Sequence, residues 1–156
     1  MSKLGLAKRA LTSARSRDAI ALMKQGYVCP QVVLSVFAPD LGLDRETALR
    51  ISQGFVGGMW NTDDNVCGAV NGAIMAIGLR YASPKVDDVE ARQKTYAAIA
   101  EFLQEFKKLH GSINCTDLIG YNLSDPQQYE EARTKAFPTS CPVFILDAIQ
   151  LVEKKV

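Results

Sequence analysis

Apolar residues recur at spacings of three and four along most of the chain, which is the period of an α-helix. Leu11, Ile20, Leu22 and Met23 carry that pattern through residues 4–24, and Gly26 ends it. Cys29-Pro30 opens the next run, in which Val32, Val33, Val36 and Phe37 face inward until Pro39 and Gly42 stop it. Proline suits the first position of a helix, where its missing N–H loses no hydrogen bond. Asp44 is placed to cap a helix carrying Ala48, Leu49 and Ile51, closed by Gly54. Ser83-Pro84 breaks the chain again, and residues 86–109 read as the longest helix. Val89, Tyr96, Ala97, Ile99, Phe102, Leu103 and Phe106 are its apolar set. Lys107, Lys108 and His110 stand in its last turn, where positive charge and C-terminal capping are favoured, and Gly111 is positioned to end it. Short helices follow at 114–120 and after Asp125-Pro126. Cys141-Pro142 opens the last helix, with Val143, Phe144, Ile145, Ala148, Ile149 and Val152 inward. No pair of strands is legible. The expectation is an all-α fold: one domain over 1–156, a bundle of about seven helices, with 1–20 as a peripheral N-terminal helix and 21–154 as the core.

One stretch departs from this pattern. Gly54, Gly57, Gly58, Gly68, Gly72 and Gly78, six of the chain's eleven glycines, fall within residues 54–79. Residues 54–66 read as a loop: Gly57 and Gly58 permit backbone angles closed to other residues, and Asn61, Thr62, Asp63, Asp64 and Asn65 are turn formers or caps. Trp60, the only tryptophan, is expected in the core, at an interface or as the wall of a cofactor site. Met59 and Met75 are expected in the core. From Cys67 to about residue 80 a small-residue helix follows. Ala69, Gly72, Ala73 and Ala76 form one smooth stripe, and Val70, Ile74 and Ile77 form a second. Glycine inside a helix costs about 0.5–1 kcal/mol relative to alanine, so such a stripe implies close approach of another backbone or of a cofactor. Apolar on most sides, this is the expected central helix. Asn71 is its polar exception, expected to hydrogen-bond across an interface or toward a cysteine.

Composition adds mainly exclusions. The 156 residues are 47% hydrophobic and 22% charged, with a net charge of +1, the profile of a globular domain. That balance gives no bulk attraction for nucleic acid. No apolar run approaches the ~20 residues that span a bilayer. The basic N-terminus lacks the apolar segment of a secretory signal, so a cytoplasmic protein is expected. In that compartment cysteines are more often reduced thiols, ligands or catalytic groups than structural disulfides. Neither a dinucleotide fingerprint nor a serine with a partner base is present.

The four cysteines, Cys29, Cys67, Cys115 and Cys141, all fall at or just before an expected helix start. Unpaired N–H groups and the positive end of the dipole favour the thiolate there, and thiolate is both nucleophile and metal ligand. All four pKa values are therefore expected to be depressed. Their spacing is not the CxxC of a zinc knuckle, a thioredoxin motif or a ferredoxin. Any shared site must be assembled by the fold.

Several segments together resemble the C_GCAxxG_C_C family of redox-active proteins. They are Gly26-Tyr27-Val28-Cys29, Leu41-Gly42-Leu43-Asp44, Gly54-Phe55-Val56-Gly57-Gly58-Met59, Val66-Cys67-Gly68-Ala69-Val70-Asn71-Gly72-Ala73, the stretch from Phe106 to Cys115, Leu118-Ile119-Gly120-Tyr121, Leu123-Ser124-Asp125-Pro126 and Cys141-Pro142. The likeness runs from about residue 20 to 154 and keeps all four cysteines. Val28 and Val56 depart from it, standing where the family often has Asn and Gly. The resemblance implies an all-helical domain with a redox or iron–sulfur role. Similar domains are fused to electron-transfer modules, including a split-Soret cytochrome. This chain has no CxxCH, and His110 is its one histidine, so covalent haem has no support.

Three readings remain open. In the first, Cys29, Cys67, Cys115 and Cys141 are metal ligands, holding an iron–sulfur cluster for electron transfer or, after it, zinc. Gly57, Gly58, Gly68, Asn71 and Trp60 would form the cofactor surroundings. In the second, no metal is bound and one pair, Cys67 with Cys29 or with Cys115, cycles between dithiol and disulfide, with Cys67 and Cys29 as the catalytic candidates. In the third, the thiols are inert and the small-residue helix serves a homodimeric scaffold. An unidentified redox partner is expected for the first two, and neither nucleic acid nor membrane for any.

Overall fold

The computed structural model describes residues 13–62 and 65–156. Residues 4–12 of the expected first helix, and Asp63 and Asp64, lie outside the described residues. Within them the fold is all-α, with no strand and a single isolated bridge between Val66 and Asn114. Most helix starts are set by local chemistry. Ser13 caps α1 (Ala14–Lys24) by accepting from the Ser16 N–H at 3.0 Å. The helix α2 (Cys29–Ser35) has Pro30 in its first turn. Asp44 caps α3 (Arg45–Ser52), accepting from the Thr47 N–H at 2.8 Å. The central helix α4 (Gly68–Tyr81) begins directly after Cys67.

The long helix α5 (Val89–His110) starts three residues later than its apolar pattern suggests, because the Asp88 carboxylate caps it at the Ala91 N–H. Gly111, at φ 82°, ends it as expected. Then come α6 (Cys115–Ile119), α7 (Pro126–Lys135) with Asp125 as its cap, and α8 (Cys141–Glu153). Among the described residues there are thus eight right-handed helices, plus 3-10 turns at Ala38–Leu41 and Gln53–Phe55.

The small-residue stripe is used inside the chain. α4 packs most closely on α2 and then on α5 and α8. A Cβ placed on Gly72 would stand 2.8 Å from the Pro30 carbonyl oxygen and 2.9 Å from the Val33 Cβ, and one on Gly68 would stand 2.7 Å from the Pro30 ring. The stripe is therefore the groove that seats α2. Gly78 differs, since a Cβ there meets nothing within 4 Å. Around this contact Phe37, Phe102, Phe106, Leu34, Ile77, Leu146 and Ile149 are fully buried. On α5 the expected face is only half right: Phe102 and Phe106 point inward, while Val89 and Tyr96 are exposed. His110 is not a terminal cap. Its Nε2 lies 3.2 Å from the Asp147 carboxylate of α8, and its ring packs between Phe106 and Phe144. No helix among the described residues is long and apolar enough to cross a membrane.

Candidate functional site

Four helices that start at a cysteine or directly after one converge on one cavity of about 770 Å³, and Cys29, Cys67, Cys115 and Cys141 all line it. Each arrives by a different local device. Cys29 is the first residue of α2, whose entry is held by the Gln31 side chain: it accepts from the Val28 N–H at 3.2 Å and donates to the Leu49 carbonyl at 2.9 Å. Cys67 and Cys115 are brought side by side by the backbone bridge. The Cys67 N–H donates to the Ile113 carbonyl and the Cys115 N–H to the Asn65 carbonyl, both at 2.8 Å. Cys141 heads α8 after a tight turn in which the Ser140 and Cys141 N–H groups both donate to the Ala136 carbonyl. The four sulfurs are free thiols; Cys67 and Cys115 are buried, Cys29 and Cys141 partly so.

Their acidity departs from the sequence expectation. Only Cys29 is lowered, because the Cys141 thiol hydrogen-bonds to its sulfur and its own backbone N–H adds to that, against the opposing effect of burial. Cys141 is raised for the reciprocal reason, with burial adding to it. Burial pushes Cys115 up to about 12 and Cys67 well above the ordinary thiol range, and neighbouring sulfurs add to both. Helix-start placement is as expected, but its pull is outweighed at Cys67 and Cys115 by loss of water and by like charge on neighbouring sulfurs, and at Cys141 first by the hydrogen bond to Cys29. The group most easily ionised is Cys29.

One rim of the cavity is a left-handed turn. Gly57, Gly58, Met59, Trp60 and Asn61 lie consecutively at φ between 53° and 68°. Each non-glycine residue so placed costs about 1–2 kcal/mol. The turn is held by Trp60 and Asn61 N–H groups donating to the Val56 carbonyl at 2.8 and 3.2 Å, and by the Thr62 hydroxyl donating to the Gly58 carbonyl at 2.5 Å. A Cβ on Gly57 would collide with the Asn61 side chain. Residues 57–61 of the segment expected as a loop thus form a hydrogen-bonded turn, from which Gly57, Trp60 and Asn61 line the cavity. Trp60 lines the cavity but is 71% exposed, so it is not core, and Met59 is exposed as well.

Of the expected cofactor residues, Gly57 and Trp60 line the cavity, whereas Gly58, Gly68 and Asn71 do not. Gly58 packs on the Asn65 backbone and Gly68 on Pro30. Asn71 donates to the Val66 carbonyl at 3.1 Å, tying α4 to the segment before Cys67 rather than reaching a sulfur. Tyr27 and Val56, which the family resemblance includes, line the cavity too, and sequence reasoning missed Tyr129, Arg133, Phe137 and Pro138. Phe137 stands a few residues from a cysteine, and Tyr129 and Arg133 share a face of α7 at i and i+4; these were the only signals available.

Among the described residues no three His, Cys, Asp or Glu side chains are gathered closely enough to hold a single metal ion. Of the His, Cys, Asp and Glu side chains among the described residues, only the four cysteines line the cavity.

Residues 27–155 match the family model described as "Putative redox-active protein (C_GCAxxG_C_C)". No curated protein and no solved structure matches the chain.

Proposed function

Since this chain belongs to the C_GCAxxG_C_C family of redox-active proteins, we propose that it is an electron-transfer protein whose four cysteines hold an iron–sulfur cluster. The observation that carries the reading is the convergence of four thiols, each at the head of a different helix, on one cavity. When bound, such a cluster supplies one-electron chemistry at a potential set by burial and by hydrogen bonds to its sulfurs. The chain's own part is to bring Cys29, Cys67, Cys115 and Cys141 together and to keep their surroundings apolar. The backbone bridge at Val66 and Asn114 fixes the Cys67–Cys115 spacing. Raised thiol pKa values mean that loading must displace protons, so binding strengthens as pH rises. The test is anaerobic expression or reconstitution with iron and sulfide, followed by visible absorbance and metal analysis. The expected result is a coloured protein that loses its iron in the Cys67→Ser and Cys115→Ser variants. A colourless protein with four freely titrating thiols after reconstitution would sink the reading.

A second reading is favoured by the place of Cys29 and Cys141 on one cavity wall, where Cys141 lowers the pKa of Cys29 and is raised by it in turn. In a metal-free protein these two sulfurs form a dithiol–disulfide couple, with the Cys29 thiolate attacking and Cys141 resolving the mixed disulfide. Thiol counts across a glutathione redox series would then show reversible loss of two thiols, located at Cys29 and Cys141 by peptide mapping. Loss of no thiols, or of a different pair, rejects it.

A further inference from the structure

The cavity is larger than its sulfur chemistry requires. At about 770 Å³ it falls in the range that drug-sized organic ligands occupy. Most of its wall is not sulfur but apolar and aromatic: Tyr27, Trp60, Tyr129 and Phe137 all contribute. Among the described residues Lys24 and Arg133 are the only charged residues of that wall, and both are cations. Arg133 also pairs with Glu130, at 2.9 Å on the exposed side of α7. A pocket with flat aromatic walls and positive charge selects a planar ring system carrying a negative group. We propose that the cavity binds a flat aromatic organic anion next to the cysteines. The redox reading bears only on what such a ligand would be used for; its binding stands or falls separately.

The left-handed turn gives this pocket its shape. Trp60 reaches the cavity only because residues 57–61 hold a conformation that other sequences avoid, and its ring remains largely exposed. As the chain's only tryptophan, it also reports on what enters.

The test is titration of the reduced, metal-free full chain with two dyes of one ring system, 1-anilinonaphthalene-8-sulfonate and the uncharged N-phenyl-1-naphthylamine. We expect one site per chain for each, with quenching of Trp60 emission and several-fold tighter binding of the sulfonate. Changing Lys24→Gln and Arg133→Gln together should abolish the sulfonate's advantage and leave the uncharged dye unaffected. Val28→Phe, which narrows the wall, should weaken both dyes tenfold or more, with folding checked by circular dichroism. If that variant does not fold, Trp60→Ala serves, since the exposed side chain is dispensable to the core; dye emission should then show weaker binding of both. Several weak sites without Trp60 quenching would overturn the proposal, as would variants that bind both dyes like the wild type. Because no metal is present, a failed titration leaves the cluster reading standing, and a failed reconstitution leaves the dye result intact.

Discussion

Cys29 and Cys141 show how much a single contact decides at the scale of a residue. Both head a helix that opens with Cys-Pro, and both line the same cavity. Yet Cys29 is more acidic than an ordinary thiol and Cys141 less, because one hydrogen bond runs between them. In the reduced, metal-free protein Cys29 should therefore be the first thiol alkylated by iodoacetamide, at a pH below the ordinary thiol value of about 8.5. Cys141→Ala removes the donor and should move that reactivity to higher pH. Mass spectrometry of the labelled peptides across pH 6–10 reads both effects; equal labelling of all four cysteines would contradict the assignment. No position in the sequence distinguishes the two residues, because the difference arises from the contact between them in the folded chain.

At the scale of the element, the glycines of α4 separate into two kinds. Gly72 sits where α2 lies against the helix, and a methyl group there would overlap the Pro30 carbonyl and Val33. Gly72→Ala should destabilise the protein by about 1–3 kcal/mol, the usual cost of overpacking. Gly78 faces no atom within 4 Å, so Gly78→Ala should stabilise by about 0.5–1 kcal/mol through helix propensity alone. Urea unfolding of the two variants checks the contrast; similar signs at both positions would refute the packing account of Gly72. The sequence makes the stripe legible but leaves its partner open between a cofactor, a second chain and a neighbouring helix. It is a neighbouring helix. The left-handed turn is another element that was only half legible: Gly57, Gly58 and Asn61 are residues that tolerate its conformation, while Met59 and Trp60 carry no sign that they belong to it.

For the whole molecule, assembling four sulfurs in one place has a cost that depends on pH. Cys67, Cys115 and Cys141 are raised above their unfolded value. Above about pH 8.5 the unfolded chain releases these protons while the folded chain keeps them, so stability falls as pH rises. Each such group contributes a slope of up to about 1.4 kcal/mol per pH unit. For Cys115 the window runs from that ordinary value up to about 12. Cys29 acts in the opposite sense: its contribution is present above the unfolded pKa and is lost as pH falls through its lowered folded value. The reduced, metal-free protein should thus be most stable near pH 8.5 and melt progressively lower toward pH 10. Cys115→Ala should flatten that fall. A wild-type melting temperature that is flat from pH 8 to 10, or unchanged slopes in the variant, would show that the thiols do not govern it.

The features legible in the chain alone are those that depend on residues a few positions apart. Asp44, Asp125 and Gly111 act as caps where they were expected, because capping is a contact between near neighbours. The helical period, the buried central helix and the helix-start placement of all four cysteines follow for the same reason. The features that required the folded chain depend on what comes close from far away. Burial, and not helix-start placement, dominates at Cys67 and Cys115, and the contact with Cys29 dominates at Cys141; both are properties of packing between distant segments. The cavity wall draws Tyr27, Tyr129, Arg133 and Phe137 from segments that no spacing relates to Cys67. The glycine-rich stretch around Cys67 is likewise divided by tertiary contact: Gly57 shapes the cavity, while Gly68 and Gly72 make room for Pro30 behind it.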